Sequence, residues 1–291
     1  MKILIIGNGG REHAFAWKCS QSNKVEKIFV APGNGGTAQE DKVQNINIGV
    51  EDSDELLRFA IEKDIDLTII GPEAPLVKGI VNNFNNAGLP CFGPTADAAQ
   101  LEGSKSFTKD FLQRHKIPTA DYKTFSKSKA AIDYIHSKGA PIVIKADGLA
   151  AGKGVIVAMT IIEATDAVKN ILDNDSFGDA GTKIVVEEFL EGEEASYIVI
   201  TDGNEVISLA TSQDHKARDD GDLGPNTGGM GAYSPAPVIT HDLDQRVMDE
   251  IIQPTLSGLK KDGIKYLGFL YAGLMIDDAG NPKVLEYNCR F

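Results

Sequence analysis

The chain has 291 residues, 42% hydrophobic and 24% charged, with a formal net charge of -13. This balance supports a packed core of about two domains, and the acidic excess argues against a nucleic-acid binder, which would carry a basic footprint. Three widely spaced cysteines, Cys19, Cys91 and Cys289, suit neither a disulfide framework nor a metal site and point to a reducing cytoplasm. The opening apolar run is too short for a signal peptide, and no apolar stretch approaches the ~20 residues that span a membrane.

In chain order, residues 2–6 predict a strand that ends in Gly7-Asn8-Gly9-Gly10, and residues 11–20 a helix. Strands at 28–31, 67–70 and 91–92 then alternate with helices at 51–63 and 77–87, the pattern of an α/β unit with a mostly parallel sheet. Residues 104–115 predict a helix with Ser104 as N-cap. An α+β block follows: strands at 122–125, 142–145, 155–158, 184–188 and 195–200, and helices at 127–137 and 162–172. Residues 209–238 read as a long polar loop rich in Gly and Pro, a kind of segment that is usually functional or disordered. A helix over 242–261 and a hairpin of strands 270–276 and 283–287 complete the chain. The main boundary falls at residue 103, giving domains 1–103 and 104–291.

Five motifs bear on chemistry. Gly7-x-Gly9 after a strand suggests a nucleotide fold, but the sixth position of a dinucleotide fingerprint is Glu12 here, and the second strand ends in Ala31-Pro32 rather than an acid. The turn can hold a phosphate on backbone N–H groups or serve only as a tight turn, and both readings stand. Gly148–Gly154 fails the P-loop spacing and leads into a strand. It reads either as a glycine loop over phosphates, with Lys145 before it to neutralise their charge, or as a flexible hairpin with a solvated lysine. The acidic run 187–194 is either a solvated turn or, because Phe189 and Leu190 interrupt it, the edge of a ring-binding slot. Glu286 and Asn288 alternate on a strand and so share a face, which suits a hard cation such as Mg²⁺. Residues 224–231 hold four glycines beside Asn226 and Thr227, an anion nest.

Taken in order, the segments 7–13, 71–76, 104–107, 144–155, 187–194, 212–216, 224–235 and 285–291 resemble the glycinamide ribonucleotide synthetase family of ATP-grasp ligases along the whole chain. The resemblance implies a Rossmann-like N-terminal domain followed by an ATP-grasp domain with a lid at about 121–190. It also implies a further C-terminal domain beyond Phe291, so that the ATP-grasp domain is incomplete here. The implied reaction is ATP-dependent ligation of glycine to 5-phosphoribosylamine through glycyl phosphate, in purine biosynthesis, with ATP and Mg²⁺ or Mn²⁺. Any channelling partner is unknown.

Residue by residue, the resemblance puts Lys105, Lys145, Gly152, Lys153 and Gly154 on ATP phosphates. Glu187, Phe189 and Leu190 line the adenine pocket, Glu194 takes the ribose hydroxyls, and Glu286 and Asn288 take the metal. Asp214, Lys216, Asn226, Thr227, Gly228, Gly229 and Arg290 fall on the substrate side. Among these, Lys145, Asp214, Lys216 and Arg290 carry the catalytic expectation. Asn8, Gly9, Gly10 and Glu73 fall on the phosphoribosylamine side. The chain departs from the pattern twice: Gly273 stands where many ATP-grasp relatives have an acidic metal ligand, and Ala217 stands where many family members have Arg.

Overall fold

The structure is a computed structural model that describes residues 1–150, 154–174, 176–221 and 223–291. The first unit contains β1 (Lys2–Gly7), α1 (Gly10–Ser20), β2 (Lys27–Pro32), β3 (Val43–Asn45), α2 (Ser53–Glu62), β4 (Leu67–Ile70), α3 (Glu73–Val77), α4 (Ile80–Asn86), β5 (Cys91–Phe92) and α5 (Ala96–Gly103). Its sheet runs β3-β2-β1-β4-β5 and all its pairings are parallel. A parallel sheet covered on both faces is apolar at consecutive positions, and β1 shows this. Ile3 and Ile5 enter one core with Ala16 and Ile28, while Leu4 and Ile6 enter the other with Leu56 and Phe84. The strand order reverses between β1 and β4, so the ligand-binding crevice of such a sheet opens at their carboxyl ends, at Gly7 and Gly71.

The rest of the chain adds α6 (Lys105–Arg114), β6 (Tyr122–Phe125), α7 (Ser128–Lys138), β7 (Ile142–Ala146), β8 (Val155–Ala158), α8 (Ile161–Leu172) and β9 (Ile184–Glu188). These are followed by β10 (Glu193–Thr201), β11 (Val206–Ser208), β12 (Gln213–Asp219), β13 (Leu223–Tyr233), α9 (His241–Val247), α10 (Gln253–Lys261), β14 (Gly268–Ile276) and β15 (Pro282–Asn288). The antiparallel sheet β6-β9-β7-β8 packs α7 and α8 on one face around Ala131, Ile144, Val168 and Val186. A second sheet, β11-β10-β14-β15, shares a larger core with α6, α9 and α10 around Phe111, Tyr197, Ile252 and Leu270.

Three expectations need correction, and one helix was not expected. The helix expected over 77–87 is only α4, and the separate α3 ends at Val77, because Gly79 takes φ +85° between them. Helix α5, rich in alanine and without a clear apolar stripe, went unread. The supposed loop 209–238 contains the hairpin β12–β13, in which Gln213 pairs with Tyr233 and His215 with Gly231. Glycine disfavours strands and leaves no alternation to read, so only the partner strand reveals it. The helix over 242–261 is continuous but passes through a π-turn at Met248–Ile252.

The β1–β4 crevice is filled from within. Glu12, in the first turn of α1, is buried and folds back to accept the Gly9 N–H at 2.6 Å. A methyl group at Gly7 or Gly71 would run into its side chain. Gly71→Ala therefore overpacks this corner and should cost about 1–3 kcal/mol. Urea unfolding would check this, and the cost should largely disappear in a Glu12→Ala background.

Candidate active site

Two adjoining cavities lie between the two sheets of the second unit and the first unit. The larger, of about 760 Å³, has an apolar wall of Val143, Val155, Val157, Phe189 and Leu190 and a polar rim that includes Glu194, Asp214 and Lys216. The smaller, of about 330 Å³, is lined by Glu73, Glu102, Lys105, Lys109, Glu286 and Asn288. Lys145, Glu187, Leu285, Glu286 and Arg290 line both.

Lys145 is placed by β7 and leaves the sheet as a nearly buried ammonium. It lies 3.1 Å from Glu187 Oε2 and donates to the Leu285 carbonyl at 3.0 Å. That carbonyl is available because of a bulge. Gly273 pairs with Glu286 and Leu274 with Val284, so Leu285 has no partner on β14. The bulge thus gives Lys145 an acceptor and places Glu286 directly across from Gly273. Tyr271 packs close to Gly273 and accepts a hydrogen bond from Ser196 Oγ at 3.0 Å, so an aromatic ring flanks the position where an acidic side chain was sought.

Lys105 opens α6. Ser104 caps this helix by accepting the Phe107 N–H at 3.2 Å, while Asp147 accepts the Ser106 N–H at 2.6 Å. The start of α6 is thereby fastened to the glycine loop, and Lys105 Nζ donates to the Gly148 carbonyl at 3.3 Å. Burial pulls the Lys105 ammonium down from its usual range, against an opposing pull from Glu286. Gly154 lines the smaller cavity. Gly152 and Lys153 lie outside the described residues.

The acidic run divides by burial. Glu187 is buried while Glu188 is solvated, so the solvated-turn reading fails for the residue nearest the site. Glu194 forms an ion pair with Lys216 at 3.1 Å. Burial would lower Lys216, but Glu194, Tyr271 and Glu286 outweigh it and hold the ammonium well above its usual range. The hairpin brings Asp214 and Thr227 to the same rim, and Thr227 Oγ1 donates to the Lys216 carbonyl at 2.9 Å. Gly229 turns there at φ +124° and donates its N–H to Thr227 Oγ1 at 3.1 Å. For Asn226 and Gly228 only the backbone on β13 is described.

Arg290 reaches into the first unit. Its Nε lies 3.1 Å from Glu73 and 3.0 Å from Glu102, and Glu102 also accepts the Cys289 N–H at 2.7 Å. Glu73 lines the smaller cavity. Asn8, Gly9 and Gly10 line neither cavity. They are tied to the next loop by Asn34, whose side chain donates to the Asn8 and Gly9 carbonyls at 3.0 and 3.3 Å. Lys109, Glu102 and Glu12 were missed in the sequence. Lys109 had a signal, one helical turn after Lys105 and so on the same face, and Glu12 had one as the residue that breaks the dinucleotide fingerprint.

For a divalent cation, Glu286 and Asn288 offer two oxygens on one strand face. Among the described residues no group of three or more His, Cys, Asp or Glu could hold a metal. A donor set this small suits Mg²⁺, which takes its remaining ligands from phosphates and water.

A Rossmann-like unit, an antiparallel sheet set over a second sheet, and lysines facing a carboxylate-bearing strand together define the ATP-grasp class. Family models for the phosphoribosylglycinamide synthetase N domain and its ATP-grasp (A) domain match residues 1–102 and 103–291. The chain belongs to the phosphoribosylglycinamide synthetase family and is an ATP-dependent ligase. It is 66% identical over 291 residues to phosphoribosylamine–glycine ligase of Escherichia coli K12, covering all of this chain and 68% of that protein. The Vibrio cholerae enzyme of the same name is 64% identical with the same coverage. The crystal structure of the Thermotoga maritima phosphoribosylamine–glycine ligase superposes with a TM-score of 0.84 at 31% identity, over 100% of this chain and 69% of that one. The biotin carboxylase domain of Hydrogenobacter thermophilus 2-oxoglutarate carboxylase, at 17% identity and a TM-score of 0.76, covers 100% of this chain and 64% of that one and shares the fold.

Burial raises the Glu102 carboxyl to about 7, against the lowering pull of Arg290. Its folded pKa lies above the unfolded value, so the folded state binds the extra proton between about pH 4.5 and 7. The stability linked to that proton is present below this window and is lost as pH rises through it. Glu102→Gln should flatten the fall in stability between pH 5 and 7.5, which denaturant midpoints measured at several pH values would check.

Proposed function

We propose that the chain catalyses ligation of glycine to 5-phosphoribosylamine through glycyl phosphate, with the roles below. The observation that carries the reading is the meeting of Lys105, Lys145, Glu286 and Asn288 around the smaller cavity, where an apolar slot opens into it. The slot between Phe189, Leu190, Val143 and Val157 suits a flat adenine ring. Glu194 stands where ribose hydroxyls would lie, with Lys216 shared between it and the phosphate end. The β6-β9-β7-β8 sheet with its two helices serves as the lid, and the first unit serves the phosphoribosylamine.

A glycine carboxylate oxygen attacks the γ-phosphorus and ADP leaves, giving the acyl phosphate. The amine nitrogen of phosphoribosylamine then attacks the acyl carbon, phosphate leaves, and the nitrogen loses a proton. The protein need form no covalent bond in either step, because phosphoryl transfer depends on positioning and charge stabilisation. Lys105 and Lys145 offset charge on the transferring phosphoryl group. Glu286 and Asn288 would hold Mg²⁺, which would supply charge neutralisation to the nucleotide phosphates. Asp214 and Lys216 orient glycine, and Arg290 provides a cation at the junction with the first unit. Its present partners, Glu73 and Glu102, would share it with an incoming anionic group. We assign the protein to the cytoplasm, consistent with three free cysteines.

The test is ADP release with ATP, Mg²⁺, glycine and fresh phosphoribosylamine, omitting each in turn. Release that needs both glycine and the amine supports the reading, and release with neither, or with another acid, overturns the substrate assignment. Glu286→Gln should cut kcat by about a hundredfold or more while leaving the thermal midpoint within a few degrees.

A further inference from the structure

A buried ammonium lies behind the phosphate-facing lysines with no role in the mechanism above. Lys109 Nζ is 2.8 Å from Glu187 Oε2, the oxygen that Lys145 approaches to 3.1 Å. The three side chains are 3%, 2% and 7% exposed for Lys109, Glu187 and Lys145. Lys109 also donates to Thr119 Oγ1 at 2.7 Å, and that hydroxyl donates to the Val284 carbonyl at 2.7 Å. The two lysines are thus fastened to adjacent carbonyls of β15, at Val284 and Leu285, just before Glu286. The other Glu187 oxygen is buried without a hydrogen-bond partner.

We propose that Lys109 is a positioning residue that shares Glu187 so that Lys145 keeps a positive charge for the nucleotide phosphates. This rests on the reading that Lys145 faces ATP phosphates. Two ammoniums around one carboxylate leave a net positive charge. With Lys109 gone, Glu187 would pair with Lys145 alone, and the field Lys145 presents to a phosphate would be largely cancelled at short range. Glu187 is equally needed, because without it two buried ammoniums would face each other. The arrangement also explains why a buried carboxylate sits beside a site for a polyanion. It orients Lys145 through one oxygen, and the second lysine compensates for its charge. Burial lowers the Lys109 ammonium to about 8, against an opposing pull from Glu187.

The test compares Lys109→Met, Glu187→Gln, the double variant and Lys145→Met in the full protein. KM values for ATP, glycine and phosphoribosylamine and the binding of MgADP by calorimetry would be measured. Lys109→Met should raise the ATP KM and weaken MgADP by about tenfold, with the other two KM values within about twofold. The double variant should bind nucleotide more tightly than Lys109→Met, because removing Glu187 frees Lys145 again. A merely structural lysine would give no such recovery, so an ATP KM that stays high in the double variant overturns the proposal. So does an unchanged ATP KM in Lys109→Met when Lys145→Met raises it. If Lys145→Met itself leaves the ATP KM unchanged, the underlying reading of the phosphate site is at fault and the proposal falls with it. Lys109→Gln replaces Lys109→Met if the latter fails to fold.

Discussion

The second unit is organised around the ammonium of Lys145. It stands between a carboxylate on β9 and a carbonyl on β15, so one side chain joins the antiparallel sheet to the strand that carries Glu286 and Asn288. A bulge supplies that carbonyl, and the bulge also sets which residue faces Gly273. In a low-dielectric setting a charge held by two good partners is positioned firmly, and one that loses a partner is costly. The distance between the apolar slot and the face that carries Glu286 and Asn288 is therefore fixed by a polar contact, while the apolar cores on either side fix only the sheets.

Much of this was legible beforehand. The alternation of strands and helices in the first unit gave its class, and the apolar pair Phe189–Leu190 within an acidic run gave the slot. Glu286 and Asn288 were readable as sharing a face because strand geometry has a period of two. What stayed hidden has physical reasons. The register between β14 and β15 depends on contacts between distant strands, so nothing in the residues around 285 announces a bulge. Glu187 looked like one acid among five, and only two lysines arriving from α6 and β7 distinguish it. The hairpin β12–β13 is the strongest case, since a strand built of glycines carries almost no local signal.

The two units meet through charge as well as packing. Arg290 lies two residues beyond β15 yet rests against Glu73 and Glu102 of the first unit. Nearby, Phe15 of the first unit stacks on Phe269, Phe92 of the first unit meets Phe269 edge-on, and Phe291 packs against Phe15 and Phe269, with ring centroids 5.2–5.4 Å apart. The aromatic cluster gives the junction an apolar body, and Arg290 gives it a polar tip at the cavity.

Glu12 has a consequence for how this domain could ever change its ligand. Nucleotide folds are often regarded as interchangeable cradles, each a few glycines away from another cofactor. Here the carboxylate occupies the crevice itself, and the glycines at 7 and 71 are shaped around it. Replacing Glu12 by a small residue would restore the letters of the dinucleotide fingerprint but leave a void and an uncapped Gly9 amide. A lineage moving toward dinucleotides would pass through an unstable intermediate. A neighbouring family with the same sheet therefore lies several coordinated steps away, although the two motifs look almost identical on paper.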